Sequence, residues 1–264
     1  MLKQITSLQN PSIKRLIQLQ EKSRTRRQEQ GFIIEGRREL KLAVAGGYTL
    51  TEAYYVPELI TIDAIEDILS TMEVNYIQIS PEIYRKLAYR DSTEGVIAFA
   101  KAKSTALSDI QLGENPLLLI AEAPEKPGNI GALLRTADAA GVDAFIIANP
   151  KTDVYNPNSI RSSVGCVFTN QIGVGSTEEV LQFLTTHKIT PYTAILQEAQ
   201  AYTAQNYKGA AAIVVGTEAT GLSEAWRTID SFPIKIPMQG VIDSMNVSVA
   251  AGILLFEAVR QRQS

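Results

Sequence analysis

Cysteine and histidine are almost absent from this 264-residue chain, which has one of each, Cys166 and His187. A single cysteine excludes an internal disulfide and any metal site built from paired cysteines. The lone histidine lies in the polar stretch 185–190, which predicts a surface position and argues against a histidine-based metal site or a Ser–His–Asp triad. We therefore expect no metal.

Long apolar runs are missing as well. No stretch of about 18 apolar residues occurs, and the N-terminal sequence MLKQITSLQN lacks the apolar core of a signal peptide. Apolar residues still make up 45% of the chain, enough for well-packed cores. These features predict a soluble cytoplasmic protein.

Acidic charge is scarce in the N-terminal segment, although the whole chain has a net charge of −3. Residues 1–41 contain ten Lys and Arg but four Glu, which gives this segment +6 and the remainder −9. Clustered basic charge fits a surface that contacts a phosphate backbone, and a solvated helix face is the alternative. The candidate nucleic-acid contacts are Lys14, Arg15, Arg24, Arg26, Arg27 and Arg37.

Alternating apolar strands and helices predict two α/β domains. Residues 1–105 form the smaller one, which includes a basic amphipathic helix over 10–30 and a helix over 37–45. Residues 106–116 are polar and predict a linker. Residues 117–264 contain a second strand–helix series whose apolar strands indicate a parallel sheet covered on both faces.

Two glycine-rich loops follow predicted strands of the second domain, at 127–131 and 216–223. The second has the glycine spacing of a P-loop, but Leu222 occupies the position of the phosphate-binding lysine, and Glu218 opposes phosphate binding by its charge. A complete G-x-G-x-x-G is absent. The sequence therefore argues against nucleoside triphosphatases, dinucleotide-binding enzymes and the common nucleotide-fold methyltransferases.

The last predicted helix is apolar on nearly all sides, which is typical of a helix buried on more than one face. Ser244 and Asn246 precede it, and both are residue types that cap a helix N-terminus. The pattern leaves two interpretations open. The helix is either a core helix of the second domain, or it packs between its own domain and a second subunit.

Three blocks carry a family resemblance: NIGALLRTADAAG (129–141), VVGTEATGLS (214–223) and IPMQGVIDSMNVSVAAGILLFEA (236–258). They resemble, in order and spacing, the SpoU (TrmH-type) RNA ribose 2′-O-methyltransferases of the SPOUT superfamily. The N-terminal sequence ITSLQNPSIKRL…FIIEGRRELKLAVAGG resembles a substrate-binding domain of that family, which is similar to certain RNA-binding ribosomal proteins. The resemblance covers nearly the whole chain.

The resemblance implies a C-terminal α/β domain with a deep trefoil knot, a homodimer formed through the knotted region, and S-adenosylmethionine as methyl donor. Main-chain groups at Gly216, Ile236 and Met245 correspond to the family's cofactor contacts, and most members have Leu at the position of Met245. The residues that match the family's catalytic positions are Asn129, Arg135, Glu218, Ser244 and Asn246. Arg161 matches a basic position near the rim of the site, where it would contact RNA.

Because a guanidinium stays protonated, we expect Arg135 to act electrostatically, on the developing alkoxide or an adjacent phosphate, rather than as a base. The family analogy favours large-subunit ribosomal RNA as substrate. Transfer RNA, a catalytically silent RNA-binding or ribosome-assembly protein, and a small-molecule methyltransferase are the alternatives. The basic N-terminal segment weighs against the last of these. The sequence does not identify the nucleotide that is modified.

Overall fold

The computed structural model describes residues 3–89, 94–216, 221–227, 229–242 and 244–263. The chain divides into two compact units. Unit 1 contains Met1–Lys103 with Asp153–Thr169, and unit 2 contains Ser104–Thr152 with Asn170–Ser264. A segment from the middle of the chain therefore packs with the N-terminal residues.

The elements of the N-terminal part of unit 1 are β1 (Lys3–Ile5), α1 (Pro11–Glu21), α2 (Ser23–Glu29), β2 (Gly31–Glu35), α3 (Arg37–Ala45), β3 (Leu50–Tyr55), α4 (Ile62–Leu69), β4 (Asn75–Ile79), α5 (Pro81–Leu87) and β5 (Val96–Lys101). The five strands form one sheet in the order β1-β4-β3-β5-β2. Strands β1, β4 and β3 are parallel, and β5 is antiparallel to both of its neighbours. Fully buried Ile13, Leu16 and Leu19 place the apolar face of α1 in the core of this unit.

The basic helix predicted over 10–30 is two helices, because Lys22 has an extended backbone between α1 and α2. The last carbonyls of α1 lack partners within their own helix. The guanidinium of Arg26, on α2, donates to two of them, at 2.6 Å from the oxygen of Leu19 and 3.1 Å from that of Gln20. A tertiary contact therefore stabilises a break that the amphipathic pattern does not reveal.

The remaining elements are β6 (Leu117–Glu122), α6 (Pro127–Ala140), β7 (Ala144–Ala148), α7 (Pro157–Ser162), β8 (Ile172–Gly175), α8 (Thr177–Thr186), β9 (Thr190–Ala194), β10 (Gln200–Ala201), β11 (Ala211–Val215), β12 (Phe232–Lys235) and α9 (Val247–Arg262). The alternating strands and helices predicted for residues 117–264 are present. Helix α7 belongs to unit 1.

The sheet of unit 2 has the order β10-β12-β9-β11-β6-β7-β8, and every neighbouring pair is parallel. Its central strands β6, β7 and β11 are buried at every position, as expected for a sheet covered on both faces. All of these strands end at the same edge. Residues that follow them in the chain are therefore brought together there.

Helix α9 packs against α6 and β11. Its buried residues Ala251, Leu254, Leu255 and Ala258 form one face. On the remaining surface, Val249 is 54% exposed and Phe256 is 49% exposed. Within the described chain, this helix therefore buries one apolar face in its own unit and leaves further apolar side chains uncovered.

Ile110 lies in the core of unit 2, and Leu107 and Leu112 pack against it. Part of the segment 106–116, predicted as a linker, thus contributes to the packing of this unit. Among the described residues, no helix has the length and apolar character needed to cross a membrane.

Candidate active site

The carboxyl edge of the unit 2 sheet brings together the segments that follow β9, β11 and β12. Parallel register places Val214 beside Thr193 and Ile234 beside Ala194. Gly216 and Ile236 each come two residues later, just beyond the ends of strands that flank β9 on both sides. The two predicted cofactor contacts therefore lie at one edge of one sheet, where parallel α/β folds bind ligands.

Gly216 is enclosed by backbone. A Cβ atom built on this residue would lie 2.5 Å from the nitrogen of Leu222 and 2.7 Å from the oxygen of Gly221. Real Cβ atoms do not approach backbone so closely, so the position requires glycine. The chain folds back on itself here and presents main-chain groups, which suits a site that holds its ligand through backbone contacts.

Helix α6 carries the first of the three blocks. Pro127 opens it, and Gly141 ends it in the left-handed conformation that glycine adopts readily (φ 64°). Asn129 lies half-buried in the first turn, and Arg135 is exposed. Six residues at 100° each make the two side chains leave the helix about 120° apart and about 9 Å along its axis. A substrate that engages both has to span that distance.

The third block leads into α9. Asn246 is the N-cap: its Oδ1 accepts from the backbone nitrogen of Ser248 at 2.9 Å and from the hydroxyl of Ser248 at 2.6 Å. Ser244 is exposed, and Met245 is half-buried between these two residues. Of the two residues predicted to cap this helix, Asn246 is the one that does so. Glu218, predicted to act beside Asn129 and Arg135, lies outside the described residues.

Exposed basic side chains lie on the helices of unit 1. Lys14, Arg24, Arg27 and Arg37 are all exposed, as a phosphate contact requires. Arg37 also lines an open cavity of about 610 Å³ with Arg38 and Lys41 of the same helix and with Glu94. The composition of residues 1–41 included Arg38 and Lys41, but the prediction did not select them.

Arg26 does not belong with these residues, and its prediction as an RNA contact is wrong. It is 5% exposed, and its Nε and Nη2 lie 3.1 and 2.7 Å from the two carboxylate oxygens of Asp153. Its third nitrogen caps α1, so the whole guanidinium is bonded inside unit 1. Sequence alone did not distinguish it from Arg24 or Arg27, because Asp153 is 127 residues away.

Arg15 is also engaged internally. Its Nη1 lies 3.0 Å from Glu52, its Nε contacts Glu29, and its guanidinium lies 4.1 Å from the centre of the Phe99 ring. Partial burial acts to lower the pKa of this group, but the bonds to Glu29 and Glu52 outweigh it and raise the pKa. Arg15 is thus a structural group of the unit 1 surface.

Arg161 is exposed on α7, and its guanidinium lies 5.2 Å from the centre of the Tyr89 ring. Tyr89 is 46% exposed. An arginine over an aromatic ring is a cation–π pair whose outer surface remains open. The described part of unit 1 therefore offers both a charge and an aromatic edge at this position.

Residues 116–256 match the model of the SpoU rRNA Methylase family. This match covers more than half of the chain. The chain belongs to the SpoU family. Residues 10–98 match the model of the MRM3-like substrate binding domain. The expected fold, an α/β domain with a parallel sheet preceded by a substrate-binding domain, is confirmed.

Three relatives illustrate the similarity. The chain is 30% identical over 240 residues to the 23S rRNA (uridine(2479)-2′-O)-methyltransferase of Streptomyces viridochromogenes, with 88% of this chain and 84% of that protein covered. It is 35% identical over 207 residues to the 23S rRNA (guanosine-2′-O-)-methyltransferase RlmB of Ralstonia nicotianae, with 75% and 83% covered. The crystal structure of the SpoU methyltransferase AviRb of Streptomyces viridochromogenes in complex with AdoMet has a TM-score of 0.90 at 28% identity, with 97% and 99% covered.

The sequence prediction did not include a groove at this edge of the sheet. Glu122 and Asn149 line this open groove of about 710 Å³ with Gly221, Leu222 and Ser223, and Thr177 hydrogen-bonds both Glu122 and Asn149. Glu122 is the last residue of β6, Asn149 follows β7, and Thr177 is the first residue of α8. The available signal was a Glu directly after the apolar run LLLIA, because a charged residue at the end of a buried strand has to find buried partners.

Proposed function

We propose that this protein transfers a methyl group from S-adenosylmethionine to a ribose 2′-oxygen of RNA, with large-subunit ribosomal RNA as the substrate. The observation that carries the proposal is the position of Gly216 and Ile236 just beyond the carboxyl ends of the two strands that flank β9. The SpoU-family blocks that surround these residues are present in full. The relatives named above act on 23S rRNA, and one of them has AdoMet bound.

The residues fit this cofactor. The enclosed backbone at Gly216 excludes any side chain, and Ile236 and Met245 add half-buried apolar surface. Main-chain groups at these three positions would hold the adenosyl part. Replacement of the more common Leu by Met at 245 keeps the apolar contact, because Met fills irregular space readily. When bound, S-adenosylmethionine supplies a methyl group that its positively charged sulfur yields to an attacking oxygen.

Arg135 stabilises negative charge on the reacting ribose oxygen or holds the adjacent phosphate. Its exposed position leaves the guanidinium available to a substrate, and its fixed positive charge favours the oxygen in its deprotonated form. Asn129, in the first turn of the same helix, hydrogen-bonds the ribose. Glu218 orients these groups, and Ser244 acts on the substrate side. Asn246 fixes the start of α9 and, through its amide nitrogen, also serves the substrate.

Unit 1 binds the RNA. Lys14, Arg24, Arg27, Arg37 and Arg161 are exposed and would contact phosphates, so RNA affinity should fall steeply as the salt concentration rises. We assign the substrate-binding domain to residues 1–105 and the methyltransferase domain to 117–264; the segment 106–116 connects them in the sequence and packs in part with unit 2. A cytoplasmic location follows from a ribosomal RNA substrate.

The C-terminal region forms a trefoil knot. Strand β12 lies between β9 and β10, although these two strands are joined directly by residues 195–199. This strand order allows the chain that continues from β12 to α9 to pass beneath that connection, and it supports the knot implied by the family resemblance.

The protein acts as a homodimer through α9. Val249 and Phe256 are about half exposed, although the helix has no charged residue before Glu257. A second subunit that covers these side chains explains why the helix is apolar on more than the face it buries in its own unit.

Transfer of labelled methyl to total RNA from a strain that lacks this protein tests the proposal. The RNA is size-fractionated and digested to nucleosides. We expect a 2′-O-methylated nucleoside in large ribosomal RNA, lost in Arg135→Ala with cofactor affinity unchanged. Lys208→Ala is the matched control, since this exposed lysine precedes β11 and so lies at the opposite edge of the sheet.

Label in the transfer-RNA fraction would overturn the substrate and keep the reaction. Cofactor binding with no transfer to any purified RNA would overturn free RNA as the substrate and point to an assembling particle. A protein that does not bind S-adenosylmethionine would overturn the enzyme proposal altogether.

A further inference from the structure

Glu122 is a buried charged residue that lines the same groove as Gly221, Leu222 and Ser223. It ends β6 and is 4% exposed. Burial of a carboxylate is unfavourable unless donors replace the water it loses. The hydrogen-bond donors around Glu122 therefore indicate its structural role.

Three hydrogen bonds from described residues reach this carboxylate. Its Oε2 accepts from the backbone nitrogen of Ser223 at 2.7 Å. Its Oε1 accepts from the hydroxyl of Ser223 at 2.7 Å and from the hydroxyl of Thr177 at 2.8 Å. Two of the three bonds thus run to one residue, which is 101 positions later in the chain.

The other side of the carboxylate is held firmly. Thr177 begins α8, and its hydroxyl accepts from the side-chain nitrogen of Asn149 at 2.7 Å. The backbone nitrogen of Thr177 donates to Asn149 Oδ1 at 3.3 Å. Ala123 and Asn149 follow β6 and β7 with left-handed backbone, at φ 46° and 50°. For alanine this conformation costs about 1–2 kcal/mol, so the packing around it has to enforce the turn.

Ser223 is the last residue of the block VVGTEATGLS. The first part of that block is held at Gly216, against the backbone of Gly221 and Leu222. Its last residue is held by Glu122. Residues 221–223 are therefore held by a close backbone contact with Gly216 at one end and by a buried carboxylate at Ser223. Gly216 is itself a proposed cofactor contact.

We propose that Glu122 is a positioning residue, which fixes residues 221–223 against Gly216 in the arrangement that binds S-adenosylmethionine. This inference rests on the proposed function for its ligand. Glu122 does not touch the reacting atoms; it acts through Ser223, and the Thr177–Asn149 pair fixes Glu122 in turn.

The chain offers a matched pair of variants. Ser223→Ala and Thr177→Val each remove one hydroxyl that donates to the same Oε1 atom. Only the first cuts a bond to the 216–223 segment, whereas the second cuts a bond to α8. Glu122→Met removes both oxygens at similar side-chain length, and Glu122→Gln keeps one oxygen for the backbone nitrogen of Ser223.

Two measurements on the full-length protein compare these variants. Hydrogen exchange in peptides that cover 211–226 reports how firmly the segment is held, without any need for activity. S-adenosylmethionine affinity by calorimetry reports the consequence. We expect Glu122→Met to accelerate exchange at 221–223 and to raise the cofactor Kd about tenfold, which is the effect of losing one hydrogen bond to a charged group.

Ser223→Ala should change both readouts in the same direction by about threefold, and its effect should vanish in the Glu122→Met background, because the two residues share the bond. Thr177→Val should accelerate exchange at the start of α8 and leave the cofactor Kd within about twofold. Glu122→Gln should restore most of the affinity.

Equal effects of Ser223→Ala and Thr177→Val on exchange at 221–223, or unchanged exchange there in Glu122→Met, would overturn the inference. If Glu122→Met does not fold, the Ser223→Ala and Thr177→Val pair still decides. Failure of the wild-type protein to bind S-adenosylmethionine, with the exchange pattern as expected, would overturn the proposed ligand and leave the positioning role of Glu122 supported.

Discussion

Gly216 lies so close to Leu222 that a Cβ atom on the glycine would stand 2.5 Å from the leucine backbone nitrogen. Two segments of main chain therefore touch at the carboxyl end of β11, beside the end of β9. A side chain at this position would force backbone apart, since no flexible group is there to yield. The contact ties the cofactor site to the local fold.

Gly216→Ala should therefore weaken S-adenosylmethionine binding by at least about tenfold and lower the melting temperature, because overpacking against backbone costs about 1–3 kcal/mol. Gly209→Ala is the control, since nothing lies within 4 Å of the added methyl group. Calorimetric titration with the cofactor and thermal unfolding are the measurements. Equal behaviour of the two variants would show that the close approach has no role in binding.

Arg26→Ala should destabilise the protein strongly, since it leaves Asp153 and two helix-end carbonyls without their donor. Removal of one partner of a buried ion pair costs about 3–5 kcal/mol. Arg26→Lys should also be destabilising, because a single ammonium group cannot reproduce the bidentate contact with the Asp153 carboxylate. Urea unfolding measures both.

Arg24→Ala, on the same helix but exposed, is the control for Arg26. It should change the free energy of unfolding by less than about 0.5 kcal/mol and lower RNA affinity instead. If Arg24→Ala destabilised the protein as much as Arg26→Ala, the internal role of Arg26 would be contradicted.

Phe256→Arg should shift the protein from dimer to monomer at micromolar concentration. An aromatic side chain at the centre of an interface typically contributes about 2 kcal/mol or more, which is about thirtyfold in the dimer dissociation constant. Sedimentation equilibrium provides the measurement. Gln263→Arg adds the same group at the exposed end of α9 and should leave the dimer intact; a wild-type protein that is already monomeric would refute the dimer proposal.

Glu257 makes a pH-dependent contribution to the stability of the folded protein. Hydrogen bonds from Arg260 and Gln261 stabilise the carboxylate and lower its pKa from 4.5 to about 2. A lowered folded-state pKa means that the stabilisation is complete above pH 4.5 and is lost as the pH falls through about 2. Glu257→Gln should thus cost about 0.5–1 kcal/mol at pH 7.

Thermal unfolding of wild type and Glu257→Gln across this pH range tests the point, and the two curves should converge towards pH 2. Glu224→Gln is the comparison, since Glu224 faces Arg227 three residues on at a longer 3.6 Å and with an 81% exposed side chain. It should change stability less. A difference between wild type and Glu257→Gln that persists unchanged at pH 2 would contradict the assignment.

Local signals predicted most of the regular elements. Helix α8 follows from Ser176 and Glu179, which form a complete capping box, and α3 has the predicted bounds, Arg37–Ala45. Helix α7 was missed because it is one and a half turns long, inside a polar segment. Its residues Ser159 and Ile160 are buried in unit 1, and that burial depends on residues far away in the chain.

The sequence by itself determined the family, the parallel sheet and the three blocks of the site, because strand and helix periods, glycine positions and cap residues are properties of neighbouring residues. Only the tertiary structure decided which basic residues face solvent, that Arg26 pairs with Asp153, and that Glu122 bonds Ser223. The last two are contacts between residues more than 100 positions apart. The sequence shows that a charged side chain will need a hydrogen-bond or ion-pair partner if it is buried, but the tertiary structure determines which residue that partner is.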